Sequence, residues 1–269
     1  PYVTSWYQKY ADKGLVIIGV HTPEFAIEKK QDNVQAAMKR FGIKYPVAMD
    51  NDYAVWNAYS NQYWPAEYLF DAQGRLRETH FGEGDYEKTE MNIQALLAEA
   101  GMTEKTALTT LPSIINFSQV GTPETYVGYG RQEFLGNKES VKRDAVQTFS
   151  LPVSPKFNSF YFFGDWLVAK EYASPSKVGA GIVYPYQASN LNLVMGSKST
   201  IRAEVLLDGA AVPVGLRGKD IVADAGKTYV DVSAERLYDL IDAQGKYGRH
   251  TFEIRFFGVG AKVYAFTFG

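Results

Sequence analysis

His21 and Glu24 are the first residues along this chain whose types serve proton transfer, and they follow a short apolar run at 15–20. In an open α/β sheet, sites gather at the carboxyl ends of strands, and an imidazole or carboxylate there can act as acid or base. The residue types alone favour plainer roles, a helix-capping charge for Glu24 and packing or solvation for His21. Trp64-Pro65 comes next, directly before Ala66-Glu67-Tyr68-Leu69-Phe70-Asp71. That segment turns on Gly74 and returns as a second strand. An X-Pro bond is cis in roughly 5% of folded cases and shapes a specific turn where it persists. The Trp64–Pro65 bond is therefore a candidate cis bond, although proline also simply begins strands.

Other chemistries are excluded by residue type. The chain has no cysteine, so these residues hold no disulfide, thiolate metal site or thiol catalyst. His21, His80 and His250 are the only histidines, and none has a partner at ligand spacing. No metal site and no cofactor are expected. Asp208, Asp220, Asp224 and Asp231 lie near turns without a calcium-loop pattern and read as solvated. Gly128-Tyr129-Gly130 and Gly258-Val259-Gly260 lack the third glycine of a dinucleotide loop. Net charge is −2, and without a basic block the sequence offers nothing to nucleic acid. No apolar run reaches the roughly 18 residues of a membrane helix.

The elements that position these residues fall into two grammars. A length of 269 residues allows about two domains. Over 1–101, helix and strand patterns alternate. Val3, Trp6, Tyr7 and Tyr10 recur at helical spacing. The run 15–20 reads as a buried parallel strand. Thr22-Pro23-Glu24 opens a helix whose buried stripe is Val34, Ala37, Met38 and Phe41. A strand at 45–49, a short helix capped by Asp50-Asn51-Asp52, the hairpin 66–82 and a helix at 85–100 follow. This order predicts one sheet with a parallel part, an antiparallel edge pair and helices on both faces. A Thr-rich linker spans 102–117. From 118 to 269 helical spacing nearly vanishes. Strands are expected at 146–151, 157–163, 166–172, 180–186, 190–195, 201–207, 228–232, 250–257 and 261–268, with one helix-like turn at 235–241. Short strands between turn signals predict an antiparallel sandwich or jelly roll. Tyr161, Trp166, Tyr184 and Tyr186 are its candidate sugar-stacking aromatics, although alternation places some of them in the core.

The first half resembles the thioredoxin-like domain of the TlpA/DipZ group. The match is carried by Pro1-Tyr2-Val3, Trp6-Tyr7, Gly19-Val20-His21-Thr22-Pro23-Glu24-Phe25, Tyr45-Pro46-Val47-Ala48, Asp50-Asn51-Asp52-Tyr53, Trp64-Pro65 with Asp71 and Gly74, and His80-Phe81-Gly82-Glu83-Gly84. The second half is similar to DipZ-type C-terminal regions in Thr122-Pro123-Glu124-Thr125-Tyr126, Gly128 and Ala265-Phe266-Thr267-Phe268-Gly269. The resemblance implies an α/β thioredoxin-like domain followed by an all-β sandwich like a carbohydrate-binding module. It also implies an extracytoplasmic, membrane-tethered thiol:disulfide oxidoreductase. Relatives carry Cys-x-x-C at the start of the first helix, which here falls upstream of Pro1, together with the N-terminal strand. No residue of this chain inherits the catalytic role. The resemblance makes Trp64, Pro65 and Ala66 a substrate groove and gives Glu24 and His21 a part in moving protons during exchange. Implied partners are client protein thiols and disulfides, a membrane electron-transfer domain of the parent protein and, for the sandwich, carbohydrate. The alternative is a redox-inactive module that binds carbohydrate or client protein, and a third reading is a purely structural domain.

Overall fold

The computed structural model describes residues 1–104, 106–111 and 119–269. It divides into two compact units, Pro1–Pro112 and Ser113–Gly269. Residues 112–117 of the expected linker lie outside the described residues. No helix among the described residues is long and apolar enough to cross a membrane.

In the first unit, helix α1 (Tyr2–Tyr10) presents Trp6 and Tyr10 inward. They meet Ile93 and Leu97 of α4 (Tyr86–Glu99) in one core, with Leu15, Ile17 and Leu69 packed against it. Strand β1 (Gly19–His21) pairs in parallel with β2 (Val47–Met49), Val20 opposite Ala48. Strand β3 (Ala66–Phe70) pairs antiparallel with β4 (Leu76–Phe81), Ala66 opposite Phe81. Helices α2 (Gln31–Phe41) and α3 (Ala54–Ala58) lie between them in sequence.

Several expectations for this unit are corrected. The two strand pairs are separate two-stranded sheets, not one sheet. The run 15–20 is not a buried strand: Leu15 and Ile17 pack on the core while Val16, Ile18 and Val20 point outward, Val16 78% exposed. No helix starts at Thr22. A short 3₁₀ turn at Ala26–Lys29 comes first and α2 begins at Gln31. The reason is long-range, because the Thr22 hydroxyl that would cap a helix donates instead to Asp50 Oδ2 at 3.1 Å. The expected stripe of α2 holds no buried residue, since a pair of three-residue strands offers little surface to cover it.

The second unit is one large antiparallel sheet curled around a single core. Besides the short β5 (Thr125–Tyr126), β6 (Val146–Phe149), β12 (Ala210–Ala211) and β13 (Val222–Asp224), its principal strands are β7 (Tyr161–Val168), β9 (Gly181–Ala188), β10 (Asn190–Gly196), β11 (Ile201–Leu207), β14 (Lys227–Val232), β15 (Arg236–Asp242), β16 (Gly248–Phe256) and β17 (Lys262–Phe268). The order β14-β11-β16-β9-β7 continues through the short β8 (Ala173–Pro175) to β17-β10-β15. Strand β7 joins the halves. Its residues 161–163 pair with β9, and residues 166–168 pair with β8. The halves face each other, as Tyr184 of β9 packs edge-on against Phe266 of β17 at 5.2 Å between centroids. The segments expected as two strands around Gly164 are therefore one. Gly164 has φ +77°, and a Cβ there would lie 2.9 Å from Ala180 Cα, so this glycine marks a close backbone approach rather than a turn. The helix-like turn expected at 235–241 is β15, paired with β10.

Candidate functional site

The loop before β3 folds onto the carboxyl end of β1. The Trp64 indole Nε1 donates to the Thr22 carbonyl at 3.2 Å, and its ring lies 4.0 Å from that of Trp56 on α3. Trp64 itself is 45% exposed. The Trp64–Pro65 peptide bond is cis. Asp50, following β2, ties the same corner together. Its carboxylate accepts from Thr22 Oγ1, from Val55 N at 2.9 Å and from Trp56 N at 2.9 Å. Burial opposes charge on Asp50, but these donors outweigh it and hold the carboxyl below the usual aspartate range. The Tyr53 hydroxyl donates to the Pro23 carbonyl.

Gly82 N donates to the Pro65 carbonyl at 2.9 Å, and Ala66 stands opposite Phe81. In an antiparallel ladder this makes Ala66 and Phe81 a non-hydrogen-bonded pair, whose N–H and C=O groups point away from each other. The backbone of Ala66 therefore faces the open edge of β3, which pairs only with β4 among the described residues.

His21 and Glu24 are both half-buried beside this loop. His21 Nε2–H donates to the Glu28 carbonyl at 3.0 Å, so that nitrogen already carries a proton and is committed. The N–H of Glu24 donates to Glu28 Oε2 at 2.7 Å. Glu28, which the sequence did not single out, is half-buried and accepts the N–H groups of both Glu24 and Phe25. Burial pushes it above the ordinary glutamate value, against the pull of the Glu24 and Phe25 N–H groups. Asp50 and Glu28 were both missed as site-builders. The signals for Asp50 are its capping position before α3 and its place in the Asp50-Asn51-Asp52-Tyr53 match, and Glu28 gives none.

The sugar-stacking candidates are corrected. Tyr161, Trp166, Tyr184 and Tyr186 are all buried, none more than 2% exposed. Their polar ends face inward too: Trp166 Nε1 donates to the Phe163 carbonyl at 3.0 Å, and the Tyr184 hydroxyl bonds that of Thr125 at 2.6 Å. Rings packed in a core cannot stack on a ligand. The described residues contain no cluster of three or more potential metal ligands.

Comparison with known proteins adds a family match and three relatives. Residues 122–269 match the family model described as "Thioredoxin like C-terminal domain". Over its whole length the chain is 36% identical to Protein DipZ of Mycobacterium tuberculosis, of which it covers 36%. It thus spans about a third of the length of that relative. Over 99 residues it is 30% identical to Thiol-disulfide oxidoreductase YkuV of Bacillus subtilis, covering 39% of this chain and 66% of that protein. Over 96 residues it is 31% identical to Thiol-disulfide oxidoreductase ResA of Bacillus cereus, covering 36% of this chain and 53% of that protein.

Proposed function

We infer, from a chain that belongs to the thioredoxin-like C-terminal domain family and is similar to DipZ throughout, that it serves an extracytoplasmic thiol:disulfide oxidoreductase. In this reading the redox Cys-x-x-C precedes Pro1 in the parent protein, and this chain contributes the client groove at Trp64, Pro65 and Ala66. Client protein thiols and disulfides are the substrates. A membrane electron-transfer domain of the same parent, which tethers it, is the redox partner. The sandwich is read as a jelly roll of the carbohydrate-binding-module type.

The observation that carries the reading is the outward-facing backbone of Ala66 at the corner made by Trp64 and Thr22. A client segment can pair there as an added strand. The open edges of the two strand pairs, with Val16, Ile18 and Val20 exposed, support an upstream strand completing the sheet. A cysteine at the start of α1 gains the positive end of a nine-residue helix, which lowers its pKa and populates the attacking thiolate. The thiolate forms a mixed disulfide that the second cysteine resolves.

The test is disulfide reduction by the natural protein extended upstream of Pro1. Activity there, with Trp64→Ala raising KM for a protein disulfide about tenfold, supports the groove. An upstream sequence without cysteine, or no reduction, defeats the reading. The cysteine-free sequence would then favour the redox-inactive module binding carbohydrate or client protein, with Glu24 and His21 reduced to structural roles.

A further inference from the structure

Glu67 and His80 stand directly opposite each other on β3 and β4. Glu67 Oε2 and His80 Nε2 are both buried, and neither has a hydrogen-bond partner among the described residues. A buried polar atom left unpaired loses its hydrogen bonds to water and gains nothing in return. Two such atoms, one acidic and one basic, on the same face of one hairpin are therefore unexpected as packing. A proton shared between them through one bridging water satisfies both at once.

We propose that Glu67 and His80 are a proton-holding pair that takes up and returns the proton of thiol–disulfide exchange. This rests on the reading of the chain as part of an oxidoreductase. Glu67 immediately follows Ala66, the outward-facing residue of the groove. On the same face of the hairpin, Leu69 packs on the core between α1 and α4. The start of α1 is close to this end of the hairpin: Tyr2 stacks on Tyr86 at 4.0 Å, and the Tyr86 hydroxyl donates to the Glu83 carboxylate. The charge on Glu67 is felt at Tyr86.

The groups facing Glu67 are His80 and Glu78 of β4, Glu83 of the following loop, and Thr89 of α4. Burial pushes the Glu67 carboxyl above its ordinary value, with Glu83 and Glu78 acting the same way and His80 and the Thr89 hydroxyl opposing them. Glu78 is itself engaged by Lys88 at 3.2 Å and by Asn92, which leaves His80 as the facing group of β4 that favours the ionised carboxyl. A carboxyl so placed holds a proton closer to neutrality than a solvated one. The earlier candidate His21 has its Nε2 proton committed to the Glu28 carbonyl.

The step balances without another reagent. The S–H bond of a cysteine of the parent protein breaks, an O–H bond forms on Glu67, and the electron pair stays on sulfur. The thiolate attacks a client disulfide, its S–S bond breaks, and the leaving sulfur takes the proton back. The second cysteine then gives up its own S–H proton and attacks the mixed disulfide: an S–S bond forms within the cysteine pair, the client's remaining sulfur leaves and takes that proton, and the pair has lost two electrons that the client has gained.

Two arms test this. In the chain as described, the Glu67 carboxyl carbon is titrated by NMR. His80→Gln removes the imidazole that opposes the effect of burial and raises the Glu67 midpoint by about one pH unit. An unmoved midpoint overturns the pair. In the upstream-extended protein, Glu67→Gln lowers the exchange rate about 10- to 100-fold near neutrality, flattens its pH profile and leaves KM unchanged, while Glu67→Asp recovers part of the rate. A Glu67→Gln rate that follows the unsubstituted protein at every pH overturns the proton role. Should Glu67→Gln unfold, His80→Gln is read by the same pH profile. If the unsubstituted extended protein reduces no disulfide, the oxidoreductase reading falls and takes this use of the pair with it. The titration separately decides whether the pair exists.

Discussion

Glu90→Gln in α4 should be the most damaging isosteric change in the first unit. Glu90 is 1% exposed and its carboxylate collects five donors. Trp6 Nε1 lies at 3.2 Å, Lys9 Nζ at 2.6 Å, Tyr10 OH at 2.6 Å, Thr109 N at 2.7 Å and Thr109 Oγ1 at 2.9 Å. The carboxylate thus joins α1, α4 and the chain that follows α4. Burial works against its charge, but these donors outweigh burial and hold the carboxyl at about 2. Against an ordinary value near 4.3, the depression corresponds to roughly 3 kcal/mol of stability. The sign follows from a folded pKa below the unfolded one. The contribution is complete above about pH 5 and shrinks as pH falls from there toward 2. The amide keeps the shape but loses the charge, and it leaves Lys9 without its counter-ion. Native-state hydrogen exchange of α1 and α4 amides reads the effect within this unit alone. The expected result is a loss of roughly 3 kcal/mol at pH 7, falling to about half of that at pH 3. A deficit below about 0.5 kcal/mol at pH 7, or one equal at both pH values, refutes the argument.

Asp50→Asn should lower the first unit's stability at neutral pH and much less in acid. A carboxyl held below its ordinary range contributes above the unfolded value and loses that contribution as pH falls through the folded one; thermal melts at two pH values check this. Gly164→Ala should destabilise the second unit by roughly 1–3 kcal/mol, because φ is +77° and Ala180 blocks the new methyl group; urea titration of the unit measures it. Tyr186→Phe should be neutral or stabilising by up to about 1 kcal/mol, because the hydroxyl is buried without a partner among the described residues; a clear loss in melting temperature would show that the hydroxyl is bonded.

Local pattern carried the second unit further than the first. Ile201–Leu207 is legible to its ends, because Ile201, Ala203, Val205 and Leu207 alternate onto one buried face while Arg202, Glu204 and Leu206 share the other. The errors arose where two physical readings share the same letters. In Arg236-Leu237-Tyr238-Asp239-Leu240-Ile241 the apolar residues fit a helical period as well as a strand. Pairing with Asn190–Gly196 decides between them, and that pairing is 40 to 50 residues distant in sequence. Gly164-Asp165 reads as a turn until the partner strand is seen to need a glycine beside it. Parity also states which aromatics share a face but not which face is inward, so Tyr184 and Tyr186 stay together and both are buried.

The candidate site divides along the same line. Trp64-Pro65 was visible because proline restricts the backbone by itself. Thr22 was misread because its capping chemistry is genuine but its oxygen is claimed by Asp50, 28 residues away. Glu67 and His80 lie 13 residues apart in the sequence, and nothing in the local pattern marks them as a pair. Only the hairpin register places them opposite each other, and only the packing of Leu69 on the α1–α4 core turns that face inward. A carboxyl and an imidazole exposed on the other face of the same hairpin would be solvated and ordinary. Their chemistry comes from one step of strand parity, so a one-residue shift in the Gly74 turn would abolish the pair while leaving every residue in the sequence unchanged.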